Sequence, residues 1–581
     1  ADMLWRDSIE ISDNFITKGA LSKLSDCSVE TIDEKAESAF PMGIFKMSRL
    51  AFNPDEGIID KLVNVYSSLH SLEASVFIIV NGNESGNTEF FLGCRSRTNS
   101  QAAKVMLKRS FSGNFPGIEL YEYDSEQKNQ VLDSLFPLDY QRKSIASLSV
   151  SADYRKNRTE KSTNYIQGIE KYIDSMRGQE YVMLILAEPL SKNDCTDKRA
   201  CFENLITELS KYQKITLTYN ENTSIGETES ITEGFSKTVS DSISHSVSTN
   251  TSVSIGKSHG RNFGYSGPGF FETTQSSGSN YGSSKTKTKG SSYSDTSGKS
   301  TSEWTSNNKS FGTSKNETSG TSFTLNVENK HISELIAKIE YELKKLDRAD
   351  SFGLWDTAVY IIANDENTAL IGANSIRSLV IGDDSGKAES FINYWNNSSV
   401  LFNNGPVKNI FQFLHYGMHP VFKQTILSQH ETTLNSNTFY LTPAISVAGD
   451  ALPSLMGLPL KSVPGITVIE TAEFGRNIVT DDRGTPGNRK MRLGEVVYMG
   501  KPDNTDVQLY INSLSSHAFV CGAPGSGKSN TIYKLLYGLT SLDSTPERDD
   551  VYGNVRFLVI EPAKKEYRNL KIDDVAVYTL G

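Results

Sequence analysis

Apolar positions along the chain follow two spacings, and their order predicts the fold. Short apolar runs between turn-forming residues predict strands, and apolar residues at every third or fourth position predict helices. The predicted elements of the first folded region are strands over 75–81 and 89–93, a helix over 102–110, a strand over 118–123, a helix over 126–135 and a strand over 144–149. They indicate an α+β domain over residues 66–179, preceded by an N-terminal segment of residues 1–65.

A second region repeats one order of elements twice. A strand, a helix and a strand are predicted at 181–187, 202–209 and 215–219, and the same order recurs at 323–327, 332–343 and 358–363. Without the intervening residues this is the split arrangement of a ferredoxin-like fold. We therefore predict a domain over 180–394 with an insertion at 222–322, placed between two strands that neighbour each other in that fold.

The insertion is rich in Ser, Thr and Gly, and composition alone favours a disordered linker. Against this, apolar residues occupy odd positions and serines occupy even positions between Val239 and Ile255, which indicates extended strand. We interpret the insertion as a two-stranded arm with its tip near Gly264–Gly269 and a returning face that carries Lys285, Lys287 and Lys289. Three uses remain open: an oligomer-forming stalk, a contact with a partner or nucleic acid, and a membrane-inserting hairpin, which its few apolar residues disfavour.

Residues 395–463 give mixed signals and are treated as a connecting region. His415 and His419 are four residues apart, with His430 beyond, which could suggest a metal site. No Glu lies beside the first histidine, and Gly417 and Pro420 interrupt the helix that such a site would need. The pattern favours structural histidines.

Residues 464–513 are β-rich, with Gly and Pro between the predicted strands. Apolar and polar residues alternate over 493–499 and again over 507–511. Alternation of this kind is typical of strands with one buried face. We predict a small β-barrel-like module that leads into the last region, 514–581.

The last region contains a phosphate-binding loop with Gly522, Gly527, Lys528 and Ser529 at the fixed positions of that motif. The apolar run 518–521 predicts a buried strand before the loop. Helical spacing of the apolar residues that follow predicts a helix beginning near Lys528, with Ile532, Leu535, Leu536 and Leu539 on its apolar side. The loop thus lies between a strand and a helix, as the motif requires.

The residue types in the loop suit a nucleotide and its metal ion. Glycines let backbone N–H groups face the phosphates at the N-terminus of a helix. Lys528 is predicted to reach the β- and γ-phosphates, and the Ser529 hydroxyl to bind Mg²⁺. The predicted ATP-binding residues are Gly522, Ala523, Pro524, Gly525, Ser526, Gly527, Lys528, Ser529 and Asn530. An ordinary glycine-rich turn would need neither the lysine nor the serine.

Length, charge and cysteine content limit the number of domains, the kind of surface and the cellular compartment. A chain of 581 residues is too long for one core and predicts roughly three to five domains. A net charge of -10 argues against a uniformly basic nucleic-acid surface but leaves room for a local basic channel. The 5 scattered cysteines suit a reducing compartment, and no apolar run approaches the ~18 residues of a spanning helix. We expect a cytoplasmic protein without a transmembrane segment.

Two blocks of the last region resemble the HerA/FtsK class of P-loop ATPases, especially bacterial HerA-like proteins. Residues 517–530 are similar to the first strand, Walker A loop and helix of that class. Residues 557–567 (FLVIEPAKKEY) are similar to its next block, with Glu561 at the acidic strand end and Glu566 and Tyr567 in a Gly-Glu-Tyr-like element in which Lys565 replaces glycine. The resemblance covers residues 490–581 and is only architectural before them.

The resemblance implies a RecA-like α/β core, a homo-oligomeric ring of six subunits with ATP between neighbours, and DNA as the cargo. It also implies a nuclease or other effector as a partner, with a role in antiviral defence for some members. Lys528, Glu561 and Glu566 become the candidate catalytic residues. Two other hypotheses stay open: an interaction scaffold switched by nucleotide without turnover, and a secretion or conjugation motor that moves protein or nucleoprotein.

The sequence departs from a complete ATPase site in one respect. Hydrolysis needs a second acidic strand end (Walker B) and a neighbouring arginine finger, and neither is found before Gly581. Because residues 574–581 resemble a third core strand entering a loop, we expect a chain truncated after the second or third core strand. The remaining catalytic groups would come from further sequence or from an adjacent subunit.

Overall fold

The computed structural model describes residues 18–137, 143–153, 155–156, 164–165, 168–219, 323–382, 390–396, 406–427, 436–472, 475–478, 490–540, 557–561, 566–567 and 576–578. The strands are β1 (Ser28–Val29), β2 (Gly43–Phe52), β3 (Ala74–Gly82), β4 (Thr88–Ser96), β5 (Glu119–Glu122), β6 (Ser144–Ser149), β7 (Arg155–Lys156), β8 (Asn164–Tyr165), β9 (Tyr181–Pro189), β10 (Lys214–Tyr219), β11 (Phe323–Glu328), β12 (Leu354–Ala363), β13 (Phe391–Trp395), β14 (Phe422–Leu427), β15 (Ser436–Leu441), β16 (Ile445–Ala448), β17 (Thr467–Glu470), β18 (Lys490–Tyr498) and β19 (Lys501–Tyr510). The α-helices are α1 (Glu34–Glu37), α2 (Ile58–His70), α3 (Ser100–Asn114), α4 (Ser125–Leu135), α5 (Glu170–Ser175), α6 (Lys192–Gln213), α7 (Lys330–Phe352), α8 (Glu366–Val380), α9 (Pro406–His415) and α10 (Lys528–Thr540).

The chain forms two compact units. The N-terminal unit comprises Ala1–Leu50, Gly57–Asn114 and Ile118–Val468, and the C-terminal unit comprises Ala51–Glu56, Phe115–Gly117 and Ile469–Gly581. The architecture is mixed, with helices around a large antiparallel sheet, so the predicted α+β class is confirmed. None of the helices in the described part of the chain is both long enough and apolar enough to cross a membrane.

A large antiparallel sheet dominates the N-terminal unit. Seven of its strands lie in the order β13-β6-β12-β9-β3-β4-β2, while β16 pairs with β12 and β5 with β2. In the centre, Ile78 of β3 lies opposite Ile185 of β9. Neighbouring side chains on these strands, such as Phe77 and Ile78, point to opposite faces and are both buried. Burial on both faces explains why β3 and β9 are nearly continuous apolar runs.

The predicted domains 66–179 and 180–394 share this one sheet. Strand β6 comes from the first range and lies between β12 and β13 of the second, and β9 of the second range pairs with β3 of the first. Sequence order predicts strand neighbours where connections are short, as for the β3–β4 hairpin, but not across long connections. The division of the sequence at residue 180 therefore does not divide the sheet.

Helices α6 and α7 form a long antiparallel pair with a small core of its own. This core contains Leu190, Phe202, Leu205, Leu209, Ile332, Leu335, Ile336, Ile339, Leu346, Ala349 and Leu354. At one end of the pair, Leu190 donates its N–H to the Leu354 carbonyl, where β9 and β12 meet. At the other end, Asn329 donates its N–H to the Gln213 carbonyl, and β10 and β11 follow directly.

Strands β10 and β11 are antiparallel neighbours, as predicted, with Ile215 opposite Val327. They form a separate two-stranded sheet, however, and do not join β9 and β12 in the four-stranded sheet of a ferredoxin-like fold. The reason is the length of α6, whose 22 residues span about 33 Å and separate the two strand pairs. The predicted arm at 222–322, including Lys285, Lys287 and Lys289, lies outside the described residues.

The C-terminal unit contains an antiparallel hairpin and the helix of the phosphate loop. Strands β18 and β19 pair with Met491 opposite Leu509. A side chain at Gly538 of α10 would meet Met491 Cε at 2.3 Å, so glycine permits a close approach of the helix to this strand. Of the β-barrel predicted over 464–513, the described residues contain this hairpin, β17 and a 3₁₀ turn, and residues 479–489 lie outside them.

The apolar run 518–521 was predicted as a buried strand, and that prediction is wrong. The run forms no strand, and the Phe519 side chain is 89% exposed. Leu558 and Tyr578, in the second and third predicted core strands, are also largely exposed. An apolar run is buried as a strand only where neighbouring strands pair with it, and none of the described strands pairs with these segments.

Candidate functional site

The phosphate loop runs from Gly522 to the first turn of α10. Gly525 and Gly527 have φ values of +79° and +90°, in the left-handed region that glycine adopts without strain. At Gly522 an added Cβ would lie 2.4 Å from Ser526 Oγ, so a larger residue would require the Ser526 side chain to move. The predicted helix start at Lys528 is confirmed.

The loop residues are accessible to a ligand. Residues 522–526 and Asn530 are exposed, and Gly527, Lys528 and Ser529 are partly buried. The Lys528 ammonium donates to the carbonyls of Gly522 and Ala523 at 2.8 and 2.7 Å, so its side chain folds back over the loop. The positive charge thus lies next to the backbone that would hold phosphate, at the N-terminus of a helix.

Ser529 connects the loop to the second predicted block. Its hydroxyl donates to Glu566 Oε2 at 2.8 Å, across 37 residues of sequence. The two side chains that the sequence assigned to the metal and to catalysis therefore lie together. Their oxygens are the hard donors that Mg²⁺ prefers.

Glu561 has a different position from Glu566. Its two carboxylate oxygens accept the backbone N–H groups of Glu566 and Tyr567, at 2.8 and 3.3 Å. Carboxylates commonly fix backbone in this way, as at the start of a helix. Glu561 thus holds the backbone that carries Glu566, although the sequence assigned a catalytic role to both.

Tyr533 is a member of the site that the sequence analysis missed. Its hydroxyl donates to the Glu566 carbonyl at 2.7 Å, and its ring lies 5.0 Å from the ring of Tyr567. Partial burial, and then the negative charge of Glu566, raise the pKa of the Tyr533 phenol, so the hydroxyl keeps its proton and donates. The spacing offered a signal, because Tyr533 lies four residues after Ser529 and so on the same face of α10.

The chemistry of Ser529 and Glu566 can be compared with what a nucleotide-bound cation would need. Within the described ranges, no three His, Cys, Asp or Glu side chains are grouped to hold a metal on their own. Mg²⁺ bound with a nucleotide needs only one or two protein oxygens, since phosphate and water complete its coordination. Ser529 and Glu566 meet that requirement, and the donor set fits the predicted ion.

The histidines considered as metal ligands have structural surroundings. His419 is buried, with Nδ1 2.8 Å from the Tyr360 hydroxyl and Nε2 3.0 Å from the Asp356 carbonyl, to which it donates. Burial lowers the pKa of His415. These contacts support the predicted structural role, while His430 lies outside the described residues. The 5 cysteines are free thiols.

The sequence matches no protein-family model and no curated protein.

Proposed function

We propose that this protein binds ATP with Mg²⁺ at the loop Gly522–Ser529 and hydrolyses it. One observation carries the proposal: the hydroxyl of Ser529 lies 2.8 Å from the Glu566 carboxylate, directly beside a loop in which Gly525 and Gly527 have positive φ values. A glycine-rich turn with a purely structural role would not require a lysine, a serine and a carboxylate at one helix start.

Each group of residues in the site has a role that its chemistry suits. The backbone of residues 522–529 and the start of α10 would hold the phosphates, and Lys528 would leave the two loop carbonyls to reach the terminal phosphate oxygens. Ser529 and Glu566 would hold Mg²⁺ directly or through water. When bound, the ion would neutralise charge on the phosphate oxygens as the terminal phosphoryl group leaves.

The test is the variant Lys528→Ala in the full chain. We expect the affinity for a methylanthraniloyl-labelled ATP to fall about 100-fold and phosphate release to fall to background, because the lysine is the one positive side chain in the loop sequence. The control is Lys534→Ala, an exposed lysine on the same helix. Equal binding by both variants would overturn the proposal.

By resemblance to the HerA/FtsK class, we extend the proposal to a cytoplasmic, RecA-like ring motor of six subunits that moves DNA. Neighbouring copies would supply the arginine, and a nuclease or other effector would be the partner. The same assay discriminates the rivals. Stimulation of turnover by double-stranded DNA supports the DNA motor, turnover without stimulation favours the secretion-type motor, and binding without repeated turnover favours the nucleotide-switched scaffold.

A further inference from the structure

The position of Glu566 is fixed by three contacts from different parts of the site. Its side chain accepts the Ser529 hydroxyl, its backbone N–H is held by Glu561, and its backbone carbonyl accepts the Tyr533 hydroxyl. Each backbone contact uses a different polar group of the same residue. The carboxylate therefore comes to Ser529 on a backbone that is held from two sides.

We infer that Tyr533 and Glu561 are positioning residues that keep the Glu566 carboxylate on the metal side of the nucleotide site. The inference rests on the proposed function and assigns roles within it. Glu566 would then hold Mg²⁺ with Ser529, directly or through a water, and Glu561 would act on the backbone without reaching the reacting groups. Residues that orient a metal ligand in this manner commonly change metal affinity about 10- to 100-fold when they are altered.

Tyr533 gives the sharper test because phenylalanine keeps its shape. Tyr533→Phe retains the ring that packs near Tyr567 and removes only the hydroxyl that holds the Glu566 carbonyl. That carbonyl loses a partner, and the backbone beneath the carboxylate becomes less restricted. Lys528 and the loop amides are not altered, so phosphate binding that needs no metal should persist.

The experiment measures binding of the methylanthraniloyl-labelled ATP by the full chain during a Mg²⁺ titration, and again in EDTA. For Tyr533→Phe we expect the Mg²⁺ concentration that gives half of the maximal increase in nucleotide binding to rise about tenfold. The affinity for the nucleotide in EDTA should stay within about twofold of the wild type. Lys534→Ala is the control, since it changes an exposed side chain next to Tyr533 on α10 and should leave both values unchanged.

Glu561→Gln is the second variant, and it keeps the inference testable if Tyr533→Phe does not fold. It weakens the contacts to the N–H groups of Glu566 and Tyr567 and should also raise the Mg²⁺ requirement without changing affinity in EDTA. An unchanged Mg²⁺ requirement in both variants, or an equal loss of binding with and without Mg²⁺, would overturn the inference and leave the proposed function intact. Failure of the wild type to bind the nucleotide would refute the proposed function itself.

Discussion

Two apolar runs of similar sequence differ in strand pairing and in burial. Residues 181–187 (YVMLILA) form β9, which pairs on both sides and buries Leu186 completely. Residues 518–521 (AFVC) pair with none of the described strands, and Phe519 is 89% exposed. Hydrophobic pattern is a property of the segment, whereas burial depends on neighbours that come from elsewhere in the chain.

The two units also differ in how their polar groups are held. In the N-terminal unit, Glu37 is fully buried and pairs with both Arg95 and Arg97. In the C-terminal unit, the polar contacts of Lys528 are exposed and that of Ser529 is only partly buried. Buried networks stabilise one arrangement, while exposed ones can exchange partners with a ligand. If the loop binds a nucleotide as proposed, exposed contacts such as those of Lys528 are the ones that the ligand would replace.

The largest effect that we predict concerns the buried run. Leu186→Ala should lower the free energy of unfolding by about 3 kcal/mol, because it leaves a cavity between packed neighbours. Urea unfolding followed by tryptophan fluorescence measures this, since Trp355 and Trp395 are buried in the same unit. Ile371→Ala, at a side chain that is 56% exposed, is the control and should change stability by less than about 0.5 kcal/mol. Equal losses of stability in Leu186→Ala and Ile371→Ala would mean that burial does not distinguish these two positions.

A smaller effect should appear in acid, at Glu342 of α7. Burial by itself would raise the pKa of Glu342, but Lys345, Lys18 and Lys198 outweigh burial and lower the pKa to about 2. The folded pKa lies below the unfolded value, so the stabilisation is complete above pH 4.5 and is lost as the pH falls from 4.5 towards 2.

The measurement compares urea unfolding of the wild type and Glu342→Gln at pH 7 and pH 3. At pH 7 the variant should be less stable by on the order of 2 kcal/mol, and at pH 3 the difference should shrink. Glu208→Gln, which breaks the exposed pair with Lys211, should show little dependence on pH. A difference for Glu342→Gln that stays constant from pH 7 to pH 3 would contradict the predicted role of its charge.

Most features formed by residues close together in the sequence were predicted, and most features formed by distant residues were not. The β3–β4 hairpin, the pairing of β10 with β11 and the start of α10 were all predicted from short stretches, and all are confirmed. The place of β6 between β12 and β13 was not predictable, because it depends on contacts across more than 200 residues. Apolar periodicity identifies a strand but carries no information about which distant strand it pairs with.

The candidate site shows the same division. Glycines and a lysine at fixed spacing predicted the loop, because its backbone form is set by those residues themselves. The contact between Ser529 and Glu566 joins residues 37 positions apart, and the sequence could only suggest that they share a cleft. Tyr533 was missed because tyrosine on a helix is common, and its role is visible only once the Glu566 carbonyl is placed.

The smallest effect tests the exposed run directly. Phe519→Ser should change the stability of the C-terminal unit by less than about 0.5 kcal/mol, because little of its side chain leaves water on folding. Leu536→Ser, at a buried position on α10 in the same unit, should lower stability by about 2 kcal/mol. Hydrogen exchange of the α10 amides measures both, since protection there reports opening of this unit. If Phe519→Ser lowers stability as much as Leu536→Ser does, residues 518–521 are buried in solution. The run would then form the strand that its sequence predicts, paired with neighbouring strands.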